Sequence, residues 1–241
     1  MMESIFTQSL ELTIWLQSLA PWLKPVMEFF TFLSNEEFYL LVMPVVLWVF
    51  DYRLGFRIGV MLLLTSGLNP LVKMTFRQPR PYWVKPQAGV VSSPAGGYGI
   101  PSGHAQFSIS VYGFFAVIFK RRWVTALAVF AVFMIGFSRV YLGEHFYIDV
   151  LAGWLIGAVV LYLFVKLEPR VSAWFVTKSF GVKTLGVLAY SLGIVLLGAV
   201  VINTPADYQV PQEWVDNALT AFPEEPIEPL NLSDVITSAA A

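Results

Sequence analysis

The sequence predicts an all-α protein, a polytopic bundle of about six transmembrane helices with amphipathic helices at its N-terminus. Hydrophobic residues make up 57% of the 241 residues and charged residues only 13%, whereas soluble domains carry roughly 25% charge. The mean hydropathy is +0.68. Long apolar runs recur along the chain, and about 20 such residues span a bilayer as a helix. A single helical membrane domain is therefore the simplest architecture.

The N-terminal segment, residues 1–34, is predicted to lie at the membrane interface. Residues 4–33 mix apolar side chains with charged and amide side chains, and Pro21 and Pro25 interrupt the run. This pattern favours one or two amphipathic helices in the interface plane. A first spanning helix is the alternative, and it would change the side of the N-terminus alone. A signal peptide is not predicted, because a basic start and a clean cleavage site are missing.

A transmembrane domain is predicted at residues 35–203. Its six apolar runs cover residues 38–50, 54–76, 102–119, 123–140, 146–165 and 183–202. The first run is short, so a helix that crosses a bilayer would have to include the polar residues that flank it. A Pro-, Gly- and Ser-rich loop at residues 77–101 and a basic connector at 166–182 separate some of the runs.

The C-terminal tail, residues 204–241, is acidic and Pro-rich and contains no lysine or arginine. Its last stretch, residues 233–241, is expected to begin a further helix. The net charge of −1 gives no basic surface for a nucleic-acid partner. The absence of cysteine excludes disulfides, thiolate nucleophiles and cysteine metal sites, and two histidines are too few for an all-histidine zinc site.

The distribution of lysine and arginine predicts the orientation, because cytoplasmic loops are enriched in both. With six spans, one side receives nine of these residues: Arg53, Arg57, Lys120, Arg121, Arg122, Lys166, Arg170, Lys178 and Lys183. The other side receives six: Lys24, Lys73, Arg77, Arg80, Lys85 and Arg139. The first side is therefore expected to be cytoplasmic.

Three polar segments are predicted to meet at the non-cytoplasmic face, namely residues 73–81, 101–104 and 138–149. Charge at a membrane boundary is costly unless it is paired or used. Lys73 is a mobile point charge, and the guanidinium groups of Arg80 and Arg139 match phosphoryl oxygens. Ser102 is a natural N-cap, and the backbone N–H groups of the following residues, beginning with Gly103, would point at an anion. These features favour a phosphate-sized ligand.

The two histidines suit a two-step phosphoryl transfer, in which one attacks phosphorus and the other protonates the leaving oxygen. Asp149 lies one helical turn after His145 and can orient its imidazole, so His145 is the better nucleophile. His104 has no neighbouring carboxylate in the sequence and is the better acid. Glu144 has two interpretations: it lies beside the predicted nucleophile His145, and it is also at a turn that water can reach.

The three segments read Lys, six residues, Arg-Pro; Pro-Ser-Gly-His; and Ser-Arg, five residues, His, three residues, Asp. They resemble the motifs of the type 2 phosphatidic acid phosphatase superfamily, which includes lipid phosphate phosphatases, glucose-6-phosphatase and vanadium haloperoxidases. The resemblance covers roughly residues 35–165 and implies a helical bundle and a reaction without metal or other cofactor. It further implies roles for eight residues: phosphate binding by Lys73, Arg80, Ser102, Gly103 and Arg139, a general acid in His104, a phosphohistidine-forming nucleophile in His145, and its partner in Asp149.

The expected function is an integral membrane phosphatase that hydrolyses a phosphomonoester or diphosphate at the non-cytoplasmic face. A lipid phosphate is favoured, because the site lies at the level of the headgroups. Finer similarity, such as Arg-Pro-Tyr-Trp at residues 80–83, keeps a sugar phosphate open as the substrate. A vanadate-dependent peroxidase and a non-catalytic lipid-phosphate carrier are the two alternatives from other classes.

Overall fold

The structure, a computed structural model, describes residues 2–92, 94, 96–204 and 208–224. Ten α-helices and no strand occur within these residues. The helices are α1 (Met2–Leu19), α2 (Lys24–Phe32), α3 (Glu36–Val45), α4 (Tyr52–Phe76), α5 (Pro81–Val84), α6 (Gly103–Phe119), α7 (Arg122–Tyr141), α8 (Tyr147–Val176), α9 (Phe180–Ile202) and α10 (Gln212–Ala221). The predicted all-α class is confirmed, whereas the expected helix at residues 233–241 lies outside the described residues.

All six predicted apolar runs are helical, but they do not all qualify alone as spans. Among the described residues, four helical stretches are long and apolar enough to cross a membrane: Tyr52–Val84, Arg122–Tyr141, Tyr147–Val176 and Phe180–Ile202. Pro21–Phe32 and Glu36–Phe50 qualify only as a pair, bent by 49° as a broken span or re-entrant loop. Helix α6 has 17 residues, a length of about 26 Å, slightly short of a bilayer core.

Helix α6 is the centre of the bundle and packs against α4, α7 and α8. Met61, Phe114 and Phe164, one from each of α4, α6 and α8, form the middle of the largest buried apolar cluster. Close to the site, a Cβ on Gly153 of α8 would lie 2.5 Å from the Ser102 carbonyl oxygen. Glycine there lets α8 lie directly against the start of α6, which brings the two helix ends together.

Helix α8 is longer than predicted. The apolar run was expected to end at residue 165, with a basic connector at 166–182, but the helix continues to Val176 through Pro169. Loss of hydrophobicity alone does not end a helix, because the residues that follow can still form backbone hydrogen bonds. Pro169 has no backbone N–H, so one of these bonds is missing within the helix. The 30 residues would extend about 45 Å, which is longer than the roughly 30 Å hydrocarbon core of a bilayer.

The N-terminal helices pack along the bundle, against α7. Thr13 donates a hydrogen bond to the Val140 carbonyl at 3.2 Å, and Gln17 donates to the carbonyls of Tyr141 and Ala88 at 2.7 and 2.9 Å. These bonds hold α1 over the predicted motif that follows residue 138. The interfacial position of residues 1–34 remains a prediction.

The predicted acidic tail contains a helix, α10, that was not predicted from the sequence. Trp214 and Ala218 of α10 join an aromatic cluster with Trp83 and Tyr98. Asn217 donates to the Trp83 carbonyl at 3.0 Å. Helix α10 therefore covers the loop between α4 and α6, the loop that carries the first predicted motif.

Candidate active site

The ends of four helices and two loops bring the predicted site residues together. Lys73 is in the last turn of α4 and Arg139 in the last turn of α7. Asp149 is in the first turn of α8. Arg80 and His145 lie in the loops before α5 and before α8. All five side chains are buried, so the site is a polar enclosure at one end of an apolar bundle.

Backbone carbonyls of one loop hold the first two cations. The ammonium of Lys73 donates to the Tyr98 carbonyl at 2.7 Å. Arg80 donates from Nε to Gly97 and from Nη2 to Gly96, both at 2.7 Å. Three consecutive carbonyls thus fix both side chains, although 20 or more residues separate them from Lys73 in the sequence.

Glu144 joins the two arginines. Its Oε2 lies 2.8 Å from Nη1 of Arg80 and 3.2 Å from Nη2 of Arg139. The expectation that water reaches this turn is wrong, because Glu144 has no exposed surface. Gly143 explains the direction of the side chain: its φ of +73° turns the chain inward, and a Cβ there would overlap the Ala88 carbonyl.

His145 lies between Asp149 and Arg80. Its Nδ1 is 3.5 Å from Oδ2 of Asp149, which is longer than a hydrogen bond, and its Nε2 is 3.4 Å from Nη1 of Arg80. Oδ2 of Asp149 accepts from the Phe146 backbone N–H at 2.9 Å. Burial, reinforced by the nearby Arg80, Lys73 and Arg139, lowers the pKa of His145 well below its usual range. The imidazole is therefore neutral at physiological pH.

The start of α6 carries the remaining predicted residues. Ser102 is the N-cap, and its hydroxyl accepts from the Ala105 backbone N–H at 3.4 Å. The backbone N–H of Ser102 donates to the Asp149 carbonyl at 2.9 Å. A Cβ on Gly103 would meet Oδ1 of Asn69 at 3.5 Å, an ordinary contact. Packing within the chain does not require glycine at 103, and its absence of a side chain leaves the backbone N–H groups accessible.

His104 is half-buried in the first turn of α6, and its electrostatic influence reaches His145. Its Nε2 lies 2.7 Å from Oδ1 of Asn35. Asn35 is not among the predicted site residues, and an asparagine before an acidic pair at a helix start is typical of an N-cap. The contact joins residues 69 positions apart, which spacing alone does not reveal.

The arrangement suits a small anion. Three cations, Lys73, Arg80 and Arg139, face two carboxylates, Glu144 and Asp149, with a neutral His145 among them. Guanidinium groups recognise phosphoryl oxygens, and a buried neutral imidazole can act as a nucleophile. Among the described residues, no group of three His, Cys, Asp or Glu side chains is placed to hold a metal ion.

The chain is similar to curated phosphatases whose names refer to lipid substrates and to a sugar substrate. The undecaprenyl-diphosphatase of Sulfolobus acidocaldarius is 29% identical over 117 residues, 48% of this chain and 56% of the relative. Glucose-6-phosphatase 3 of Bos taurus is 28% identical over 247 residues, 89% of this chain and 70% of the relative. The chain spans only about half the length, 50 to 58%, of the Sulfolobus protein and of two further curated lipid phosphatases.

A solved structure and a family model complete the comparison. The fold resembles the crystal structure of a transmembrane PAP2-type phosphatidylglycerolphosphate phosphatase from Bacillus subtilis, with a TM-score of 0.58 and 22% identity. The similarity covers 73% of this chain and 89% of that chain and shows a common fold. The PAP2 superfamily model matches residues 54–173, which include Lys73, Arg80 and the segments 101–104 and 138–149. The chain belongs to the PAP2 superfamily.

Proposed function

We propose that the chain is an integral membrane phosphatase that hydrolyses a phosphomonoester or diphosphate through a phosphohistidine intermediate, without a metal. The carrying observation is the contact between Arg80 and both Glu144 and His145. It puts a cation that can bind a phosphoryl oxygen beside a buried neutral imidazole. The nucleophile and the cation that binds the phosphoryl oxygen can therefore both contact one phosphoryl group.

In the first step, Nε2 of His145 attacks phosphorus, and the bond from phosphorus to the ester oxygen breaks. The leaving oxygen keeps the electron pair and takes a proton from His104. Lys73, Arg80 and Arg139, with the backbone N–H groups at the start of α6, stabilise the charge on the phosphoryl oxygens. Asp149 faces Nδ1 and stabilises the positive charge that His145 acquires on phosphorylation.

In the second step, water attacks the phosphohistidine, and His104, now neutral, accepts a proton from it. The bond between Nε2 and phosphorus breaks, and inorganic phosphate leaves. Both steps use the same two histidines, with His104 changing from acid to base. The enzyme returns to its starting protonation state after one water has been consumed.

A lipid phosphate is the favoured substrate. The site lies at the ends of apolar helices that qualify as spans, and this supports a position near the level of the lipid headgroups. Relatives named undecaprenyl-diphosphatase and dolichyldiphosphatase support a lipid diphosphate. The excess of lysine and arginine at the opposite ends of the helices supports a site on the non-cytoplasmic face.

A sugar phosphate is the second candidate. It is supported by the similarity to glucose-6-phosphatase 3, which extends over 89% of this chain. Phosphate release from lipid monophosphates, polyprenyl diphosphates and glucose 6-phosphate, measured in detergent and in liposomes, separates the two. We expect the highest kcat/KM for a lipid. Faster turnover of glucose 6-phosphate would reverse this assignment.

The same assay tests the chemistry. His145→Ala and His104→Ala should each lose turnover of every substrate that the wild type hydrolyses, and EDTA should not inhibit the wild type. Lipid binding without phosphate release would indicate a carrier, and halide oxidation with added vanadate would indicate a peroxidase. Wild-type turnover by His145→Ala would contradict the proposed mechanism.

A further inference from the structure

Asn35 lies outside the segment that matches the PAP2 model, which begins at residue 54, yet its side chain contacts a candidate catalytic histidine. Oδ1 of Asn35 is 2.7 Å from Nε2 of His104. We propose that Asn35 is a positioning residue that fixes the tautomer and the orientation of His104. The inference rests on the proposed function, in which His104 is the general acid.

The local structure around Asn35 points to this role. Asn35 occupies the N-cap position of α3 with an extended backbone, φ −75° and ψ 158°, but its side chain makes no cap hydrogen bond. A side-chain cap bond at this position would stabilise the start of the helix. The amide is therefore directed to His104 at the expense of the local helix, the kind of conflict that marks functional positions.

The backbone around Asn35 is attached to α6 at two further points. Ser34 donates from its hydroxyl to the His104 carbonyl at 3.0 Å, and Tyr112 donates from its hydroxyl to the Leu33 carbonyl at 2.7 Å. These bonds join the break between α2 and α3 to the first turns of α6. The Asn35 amide is thus held at a fixed place relative to the imidazole.

The same segment also reaches the phosphate-binding side of the site. Ser138 donates its hydroxyl hydrogen to the Ile135 carbonyl at 2.7 Å, so in the 2.9 Å contact with Thr31 it accepts. The Thr31 oxygen is then free to accept from Nη1 of Arg139 at 3.2 Å. Thr31 and Asn35, one helical turn apart in sequence, therefore contact one candidate phosphate ligand and one candidate acid.

An amide oxygen only accepts, so Asn35 requires a hydrogen on Nε2 of His104. Nδ1 is then the nitrogen that transfers the proton. In the imidazolium, the Nδ1–H bond breaks as the leaving oxygen takes the proton, and the remaining neutral ring is the Nε2–H tautomer that Asn35 binds. Burial, and after it the cations Arg139, Lys73 and Arg80, lower the pKa of His104 well below its usual range. The negative charge of a bound phosphate ester opposes this shift and favours the imidazolium. A neutral amide thus orients the ring without adding a carboxylate.

The test compares Asn35→Leu and Asn35→Asp on two substrates, an alkyl phosphate and an aryl phosphate with a good leaving group. Asn35→Leu should lower kcat for the alkyl phosphate about 10- to 100-fold, part of the roughly 10²–10⁴-fold effect of a positioned general acid. The aryl phosphate needs no protonation of its leaving group, so its turnover should change by less than about threefold, against the same scale.

Asn35→Asp keeps the acceptor and adds a negative charge that favours the imidazolium. It should retain activity on the alkyl phosphate and extend it to higher pH. Gln17→Ala is the matched control, because it removes an amide of the same N-terminal segment. Within the described residues, that amide donates to the carbonyls of Ala88 and Tyr141. The control's ratio of alkyl to aryl turnover and its pH profile should equal those of the wild type.

Two results overturn the inference: equal losses on both substrates in Asn35→Leu, which indicate a merely structural role, or an unchanged alkyl kcat in that variant. His104→Ala separates this failure from failure of the proposed function. If His104→Ala retains alkyl turnover, the assignment of the acid is wrong. If His104→Ala loses it while Asn35→Leu does not, only the role of Asn35 is wrong.

Discussion

Arg80 donates a 2.8 Å hydrogen bond to the carboxylate of Glu144, where neither side chain is open to solvent. The same carboxylate oxygen lies 3.2 Å from Arg139. One anion thus holds the two arginines that are expected to bind a phosphoryl group. A phosphoryl oxygen has the same charge and accepts the same bonds, so a bound phosphate must compete with Glu144 for them.

Glu144→Gln removes that competitor and should strengthen inhibition by vanadate about tenfold, which corresponds to ~1.4 kcal/mol. Without an anion, the variant should unfold at a lower temperature than the wild type, because two buried guanidinium groups lose their counter-charge. Bound vanadate should supply the missing negative charge and raise the unfolding temperature of the variant to that of the wild type. Glu168→Gln is the control: Glu168 pairs with Arg57 at 2.9 Å, away from the site. Unchanged or weaker vanadate inhibition of Glu144→Gln would contradict the proposal that Glu144 competes with the bound anion for the two arginines.

Asp149→Asn should lower kcat by about 10²–10⁴-fold, a range typical of losing an oriented acid–base partner. The amide oxygen can still accept from the Phe146 N–H, so the start of α8 should remain intact, but the charge that faces the phosphorylated His145 is lost. Vanadate binding should stay within about threefold, because the phosphate ligands are untouched. Parallel losses of vanadate binding and kcat would mean that Asp149 has a structural role instead.

The pH dependence of kcat/KM should show an acid limb below pH ~6.5, the usual pKa of histidine. Burial and the cations Arg80, Lys73 and Arg139 lower the pKa of His145. The neutral, nucleophilic form therefore persists as the pH falls and is lost only below the depressed pKa. The prediction is checked by measuring kcat/KM, which reports ionisations of the free enzyme, with a substrate that does not titrate in this range. An acid limb above pH ~6.5 is incompatible with the neutral buried imidazole.

Gly143→Ala should reduce the amount of folded, active enzyme. The residue has φ +73°, and a Cβ would overlap the Ala88 carbonyl, so the variant combines backbone strain of about 1–3 kcal/mol with a steric clash. Thermal unfolding in detergent and phosphate release measure both effects. Gly181→Ala is the matched control, because its Cβ meets nothing within 4 Å. Equal unfolding temperatures for the two variants would contradict this account of the turn.

The sequence was sufficient to predict the six long apolar helices and the motif segments, because both signals are local. Apolar runs indicate helices, and His145 and Asp149 are four residues apart in the sequence. The predicted helical turn between them is wrong, because α8 begins at Tyr147 and His145 lies in the loop before it, yet the two side chains still face each other at 3.5 Å. The contact of Asn35 with His104 and the bridge from Glu144 to two arginines depend on segments that are far apart in the chain. Helix α10 was missed because its apolar face is narrow, with Trp214 and Ala218 packing on the loop, inside an acidic, Pro-rich tail.

His145 is expected to carry the phosphoryl group during turnover. The direct measurement is mass spectrometry of enzyme quenched at alkaline pH during hydrolysis of a lipid phosphate, conditions that preserve a phosphohistidine. We expect one phosphoryl group on the peptide that contains His145, and none with His145→Ala, which should also release no phosphate. Steady phosphate release by His145→Ala, or a phosphoryl group on another residue, would contradict the mechanism.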